Sequence, residues 1–166
     1  NDVKDGELGE LWISSQSIAP FYWANHEKSK KTFVGEWLLT GDQYSRDEKG
    51  YLSYQGRSDD LFKCGGIWVS PIQIESTLLS HPDVLEASVV AERDAQGLEK
   101  PAAYVVLKTG VAQNTQTEES LRQFTKEKLA SYKCPRAFHF VTDLPKTATG
   151  KIQRFKLRSQ AGAANA

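Results

Sequence analysis

The sequence predicts a mixed α/β protein in two parts: the end of a β-rich unit, then a small α/β domain with a three- to four-stranded sheet and flanking helices. Three observations predict it. Short, aromatic-rich segments bounded by turns crowd the first third of the chain. After Gly56, strand-like apolar runs alternate with helical patterns that carry their own start and stop signals. The length, 166 residues with 39% apolar and 25% charged, suits one ordinary domain or a small domain joined to a piece of a neighbour.

The elements follow in order. Leu8–Ser14, Gly35–Leu39 and Gly50–Gln55 read as strands, with Arg46–Gly50 as a hairpin-like turn and a short helix from about Asn25 to Thr32. The chain divides near Arg57–Asp60. Ser70-Pro71-Ile72-Gln73 opens a helix, with serine at the N-cap, proline at the first position and glutamine at the third. Ile74 and Leu78 share one face until His81-Pro82 stops it. Val84–Ala91 and Ala102–Leu107 are strand-like, joined by the polar turn Arg93–Gly97. Thr117 can cap a second helix whose acids, Glu118 and Glu119, and bases, Lys126 and Lys128, suit the helix dipole. Leu121, Phe124 and Leu129 supply its apolar stripe. Ala137–Val141 is a strand, Thr142–Gly150 a polar loop, and Phe155–Leu157 the start of a last helix before an alanine-rich, frayed tail.

Composition excludes several functions. Lys plus Arg and Asp plus Glu are both 21, which argues against a dedicated nucleic-acid binder. Cys64 and Cys134 match no metal or redox spacing; two buried thiols in a reducing cytosol are favoured over a single disulfide. The histidines His26, His81 and His139 are scattered, so no metal site is expected. The apolar runs are too short to span a bilayer, and no basic-then-apolar leader opens the chain.

Three blocks can carry chemistry. Thr40-Gly41-Asp42 offers a carboxylate able to accept two adjacent hydroxyls, as a ribose presents; the bland alternative is an Asx-turn. In Gly56–Gly66, Arg57 could hydrogen-bond a ribose or phosphate, and Gly65-Gly66 could let a thin ligand pass close to the backbone. A surface hairpin with a salt bridge explains the same residues. Leu144–Lys151 ends in Gly-Lys but is no phosphate-binding P-loop, since it lacks the first glycine and a Ser/Thr after the lysine. Taken alone, Lys151 is a solvated loop lysine.

Together, TGD at 40–42, GRSDD at 56–60 and LPKTATGKIQR at 144–154 resemble, in order and spacing, the late motifs of the adenylate-forming superfamily of acyl- and aryl-CoA ligases, adenylation domains and luciferases. The resemblance runs from about Gly6 to Arg158. Through SIAPFYW at 17–23, TFVGEW at 32–37, GIWVSP at 66–71 and PKTATGKIQRFKLR at 145–158 it is strongest to benzoate-type aryl-CoA ligases.

The resemblance implies an enzyme that joins a carboxylate to ATP, releasing pyrophosphate, and then passes the acyl group from AMP to coenzyme A. It implies that residues 1–58 end a large AMP-binding domain and 59–166 form the mobile carboxyl-terminal domain. Asp42 and Arg57 would hold the ribose of ATP or AMP, Lys151 would be the adenylation lysine and Asp59 the hinge. Lys63 would serve thioester formation, Gly65 and Gly66 would border the pantetheine tunnel, and Tyr132, Lys133 and Arg136 would meet the adenine and phosphates of coenzyme A. Trp68 receives no role. Mg²⁺ is expected with ATP, a cytoplasmic location is implied, and membrane and nucleic acid are not expected partners. The phosphate loop, adenine segment and acyl pocket would precede Asn1, so the chain alone is expected to be inactive. The alternatives are an adenylation domain that loads a carrier protein, or a non-catalytic module modified at Lys151 by a protein lysine acetyltransferase.

Overall fold

Two units part between Asp59 and Asp60 in the computed structural model, which describes residues 3–164. The first is built on one long strand. Around it run β1 (Leu8–Ile13), α1 (His26–Thr32), β2 (Phe33–Val34), β3 (Trp37–Arg46) and β4 (Leu52–Arg57). β1 pairs antiparallel along one edge of β3, while β2 and β4 share the other edge. Asn25 caps α1 by accepting from the Lys28 amide at 3.1 Å. The β3–β4 loop closes because Asp47 Oδ1 accepts from the amides of Lys49 and Tyr51 at 2.9 and 2.8 Å.

The second unit begins with a hairpin, β5 (Phe62–Cys64) and β6 (Ile67–Val69), followed by α2 (Pro71–Leu79). A three-stranded sheet follows, of β7 (Val84–Arg93), β8 (Glu99–Leu107) and β9 (Ala137–Phe140), in the order β7-β8-β9. β7 and β8 form an antiparallel hairpin; Asp94 Oδ1 closes its turn by accepting from the amides of Gln96 and Leu98. β9 pairs parallel with β8, which requires a crossover, and α3 (Thr115–Lys128) supplies it. α4 (Arg154–Ala164) ends the described chain.

β8 divides the core by its period of two. Ala103, Val105 and Leu107 pack in one cluster with Ile74 and Leu78 of α2 and Leu121 of α3. Tyr104 and Val106 pack in another with Leu144 and Leu157 of α4. Cys64 and Cys134 are buried in the first cluster as unlinked thiols.

The structure corrects several boundaries. The expected strand at Gly35–Leu39 is the meeting of two: Gly35, at φ 62°, makes a two-residue turn from β2 into β3. The expected strand Gly50–Gln55 begins at Leu52, because Tyr51 still closes the turn. Asn114, not Thr117, caps α3: its side chain accepts from the Thr117 amide at 2.9 Å, while Thr117 Oγ1 donates to Ala112 O. Ser70 occupies the N-cap of α2 but its hydroxyl makes no capping bond, and Gln73 instead accepts from Lys133 Nζ at 2.6 Å. Thr125 is buried on the inner stripe of α3, whereas Phe124 is half-buried and packs edge-on against His81. The tail after Arg158 continues as helix to Ala164.

Leu78 is fully buried at the centre of the first cluster. We expect Leu78→Ala to cost about 2–5 kcal/mol, read as a lower urea midpoint. Loss of under about 1 kcal/mol would mean the cluster is not the packing centre described.

Candidate functional site

In the first unit the residues expected to meet ribose lie together. Opposite Leu11 alone of β1, β3 places three residues, Thr40, Gly41 and Asp42. That irregularity is a bulge, and bulges redirect side chains. Thr40 Oγ1 fixes it by donating to Leu11 O at 2.8 Å and accepting from the Asp42 amide at 3.0 Å. The Gly41 amide donates to Glu10 Oε1 at 2.9 Å. Asp42 and Arg57 are direct cross-strand partners. Arg57 Nη1 donates to Asp42 Oδ1 at 3.0 Å and to Thr40 O at 2.7 Å, with Asp59 Oδ1 3.8 Å from Nε. The Arg57 side chain is 49% exposed, so the pair adds little to stability, on the order of 0–1 kcal/mol, and chiefly sets orientation. Gly41 suits the bulge because its φ is 72°, and a Cβ there would lie 2.8 Å from Arg57 Nη2, so the guanidinium would have to shift.

In the second unit the expected residues are distributed over two hairpin-like turns, one helical turn and the connection into β9. Gly65 and Gly66, at φ 60° and 82°, form the two-residue turn of the β5–β6 hairpin, a conformation that glycine adopts without strain. A Cβ on either would meet nothing within 4 Å, so open space borders the turn. Lys63 stands opposite Trp68 and its ammonium lies 4.8 Å over the indole.

Tyr132 and Lys133 lie on a single 3-10 turn at Ser131–Lys133, where Lys133 Nζ donates to Gln73 of α2 and stands 5.5 Å from the Tyr132 ring. Arg136 has a different neighbourhood. It lines a depression of about 470 Å³ with Glu92, Asp94 and Lys100. Beside it, Glu92 accepts from the Tyr104 hydroxyl at 2.9 Å and pairs with His139 at 2.9 Å. Burial, then the hydrogen bond and charge of Glu92, push the Tyr104 phenol above its ordinary range. Burial likewise pushes the Cys134 thiol up, with Arg136 and Lys126 pulling the other way.

Lys151 occupies a tight turn. The Thr147 amide donates to Lys151 O at 2.9 Å, the Gly150 amide to Thr147 O at 2.9 Å, and the Lys151 amide to Thr147 Oγ1 at 3.1 Å. Lys146 and Ile152 bridge across the base. The two lysines differ sharply. Lys146 Nζ donates to Glu86 at 2.8 Å with Asp143 at 3.6 Å, and the Glu86 bond raises its pKa. Lys151 is exposed, and among the described residues its ammonium makes no hydrogen bond or ion pair.

Reading the motifs missed a partly buried ionic cluster. Arg154 Nε and Nη2 grip Glu75 at 3.1 and 2.7 Å, Arg154 Nη1 donates to Asp60 at 3.3 Å, and Arg158 Nη1 donates to Asp60 at 2.8 Å. Glu75 Oε1 also accepts from the Val89 amide at 2.8 Å. Two signals were present: Glu75 interrupts the apolar stripe of Ile74 and Leu78, and Arg154 and Arg158 are four residues apart around Leu157.

Residues 73–151 match the family model of the AMP-binding enzyme C-terminal domain. The chain is 53% identical over 154 residues to a benzoate–CoA ligase of Thauera aromatica, covering 93% of this chain and 29% of that protein. It is 46% identical over 158 residues to a 4-hydroxybenzoate–CoA/benzoate–CoA ligase of Rhodopseudomonas palustris, covering 95% of this chain and 29% of that protein. Among solved structures, an anthranilate CoA ligase in complex with anthranoyl-AMP superposes with a TM-score of 0.95 at 50% identity, covering 99% of this chain and 32% of the other. A benzoate CoA ligase from Burkholderia xenovorans LB400 gives a TM-score of 0.86 at 51% identity, covering 95% and 31%. The chain thus spans about three tenths of the length of these relatives.

Gly41→Ala tests the β3 bulge. A side chain at positive φ costs on the order of 1–2 kcal/mol, and the added methyl must also displace the Arg57 guanidinium. We expect a lowered urea midpoint; an unchanged one would refute the strain at Gly41.

Proposed function

This chain belongs to the adenylate-forming superfamily as its carboxyl-terminal part, close to the benzoate–CoA ligases, and from that premise we propose a function for the whole protein. It joins an aromatic carboxylate of the benzoate type to coenzyme A, converting ATP to AMP and pyrophosphate. In the first half-reaction a carboxylate oxygen attacks the α-phosphorus and pyrophosphate leaves, giving an acyl-AMP. In the second, the coenzyme A sulfur, having lost its proton, attacks the acyl carbon and AMP leaves.

The observation that carries the reading is Lys151: an exposed ammonium without a partner among the described residues, held on a hydrogen-bonded turn. Placed between the carboxylate and the α-phosphate, it screens their repulsion, holds them in line and stabilises the charge that develops. Asp42 and Arg57 receive the ribose hydroxyls, a role that suits their 3.0 Å pairing, which points both side chains to one place. Asp59, the last residue of the first unit, is the hinge about which the second unit turns between half-reactions. After rotation Lys63 serves thioester formation. Gly65 and Gly66 leave room for the pantetheine arm, and Tyr132, Lys133 and Arg136 meet the adenine and phosphates.

Residues 1–58 are, on this reading, the end of the large AMP-binding domain, and 59–166 its mobile partner. Burial supports the first assignment. Within the described part of the first unit only Gly56 is buried, and Trp12, Trp37 and Leu52 border an open groove of about 600 Å³. A sheet so poorly covered fits a piece of a larger core. Among the described residues no group of three or more His, Cys, Asp or Glu could hold a metal. Mg²⁺ is expected to accompany the phosphates of ATP in the whole protein, and no step is assigned to it. No helix is long and apolar enough to cross a membrane among the described residues. The unlinked thiols suit the cytoplasm, where ATP and coenzyme A are available. The exposure of Lys151 also opens it to a lysine acetyltransferase, whose product would lack the required charge; acetyl incorporation undiminished by Lys151→Ala would exclude that site.

The test uses the full-length protein. Lys151→Ala should slow pyrophosphate release from ATP and benzoate by about 10²–10³-fold. Thioester formation from preformed benzoyl-AMP and coenzyme A should continue at the wild-type rate. Equal loss of both activities would make Lys151 structural; full retention of both would remove the reading.

A further inference from the structure

We propose that Arg154 is a positioning residue for the adenylation half-reaction, holding the Lys151 turn in its working orientation through Glu75 and Asp60. This rests on the role just proposed for Lys151.

Residues 146–151 are all exposed, so no side chain of the turn itself anchors it in the core. Its orientation is set where its two stems enter the fold. The stems are joined by the Lys146–Ile152 bridge and by the Gln153 amide, which donates to Pro145 O at 2.7 Å. On the upstream side Leu144 is fully buried. On the downstream side Ile152 and Gln153 are half-buried, and the first residue held by charge is Arg154, three positions after Lys151.

Arg154 is held on two sides. Glu75 takes two of its nitrogens in a fork, a geometry that fixes direction as well as distance. Asp60 takes a third. The side chains of Arg154, Glu75 and Asp60 are 15%, 8% and 13% exposed, so solvent does little to screen or loosen the grip. Asp60 is also the residue bonded to Asp59. One guanidinium therefore ties the lysine turn to α2 and to the first residue beyond the proposed hinge. When the second unit turns, that grip makes the turn travel with it as one body. A lysine could keep the charge but not the fork.

The experiment follows both half-reactions in full-length Arg154→Lys and Arg154→Gln, with Lys151→Ala beside them. Thioester formation from preformed acyl-AMP reports that the second unit is folded. We expect the Arg154 variants to release pyrophosphate about 10- to 100-fold more slowly, the scale of a displacement of about 1 Å. The KM for ATP and for the carboxylate, and the thioester rate, should stay as in wild type. Wild-type adenylation in Arg154→Lys and Arg154→Gln, while Lys151→Ala still slows it as expected, would overturn this inference alone. Parallel loss of both half-reactions in both Arg154 variants would also overturn it, making the cluster a stability element. Normal adenylation in Lys151→Ala would instead overturn the reading on which it rests.

Discussion

Glu75 is the constraint around which the second unit is organised. A carboxylate buried on the inner face of a helix costs several kcal/mol unless its charge and lone pairs are answered. Its Oε1 receives the Val89 amide of β7 and the Arg154 Nε, and its Oε2 receives Arg154 Nη2. One side chain thus joins α2, β7 and α4. Removing a single partner from such a site typically costs about 3–5 kcal/mol, because an uncompensated charge stays behind. Asp60 and Arg158 extend the cluster so that two acids face two bases. The directionality matters for α4, since among its described side chains only Leu157 is fully buried. One leucine can hold a helix against a sheet but leaves its rotation loosely set. The guanidinium fork sets it.

The two units solve burial in different ways. In the second, alternate residues of β8 feed two clusters on opposite faces, which makes its central strand apolar almost throughout. α2 and α3 contribute to the first cluster and α4 to the second. The first unit has one sheet and leaves large aromatic residues exposed, among them Trp12, Trp23 and Trp37. Its order comes instead from polar closure: the Thr40 bonds in the bulge, the Asp47 turn and the Asn25 cap. The Thr40 bonds flank the Asp42–Arg57 pair, so the geometry of that pair is written into the strand ladder itself.

What was legible in the sequence was what local rules control. Ser70-Pro71 marked the opening of α2, and the Arg93–Gly97 turn marked the β7–β8 hairpin. The period of Ile74 and Leu78 marked a buried face. The strand expected to end at Leu39 runs on: β3 carries Thr40, Gly41 and Asp42 as a bulge opposite Leu11 and continues to Arg46. Thr117 read as a cap, but Asn114 lies three residues earlier with the same chemistry and takes the amide. The alanine-rich tail read as frayed although alanine is the best helix former, and α4 continues through it to Ala164. Of the proposed site, the motifs singled out Lys151, Asp42 and Arg57 as candidates but not what holds them. Glu75 and Arg154 are 79 positions apart, and no local pattern joins them.

Lys146 and Lys151 show why the proposed catalytic ammonium sits where it does. Both are on the same turn, both are cationic, and only one is engaged among the described residues. Lys146 is committed to Glu86 and Asp143, an arrangement that steadies the stem but leaves its charge largely neutralised. A lysine so paired would have to break those contacts before it could serve two incoming anions, and that cost would reappear in the barrier. Lys151 keeps its charge in water, where it is cheaply solvated, and among the described residues carries no local acid that must be displaced. The price is hydration lost on arrival, which two anions in a dry site can offset because charge interactions strengthen as water leaves. Such a lysine must be presented by a rigid backbone, since among the described residues it has no side-chain partner to aim it. That is why the ion pairs gather at the stems, at Lys146 on one side and Arg154 on the other, while the tip stays bare.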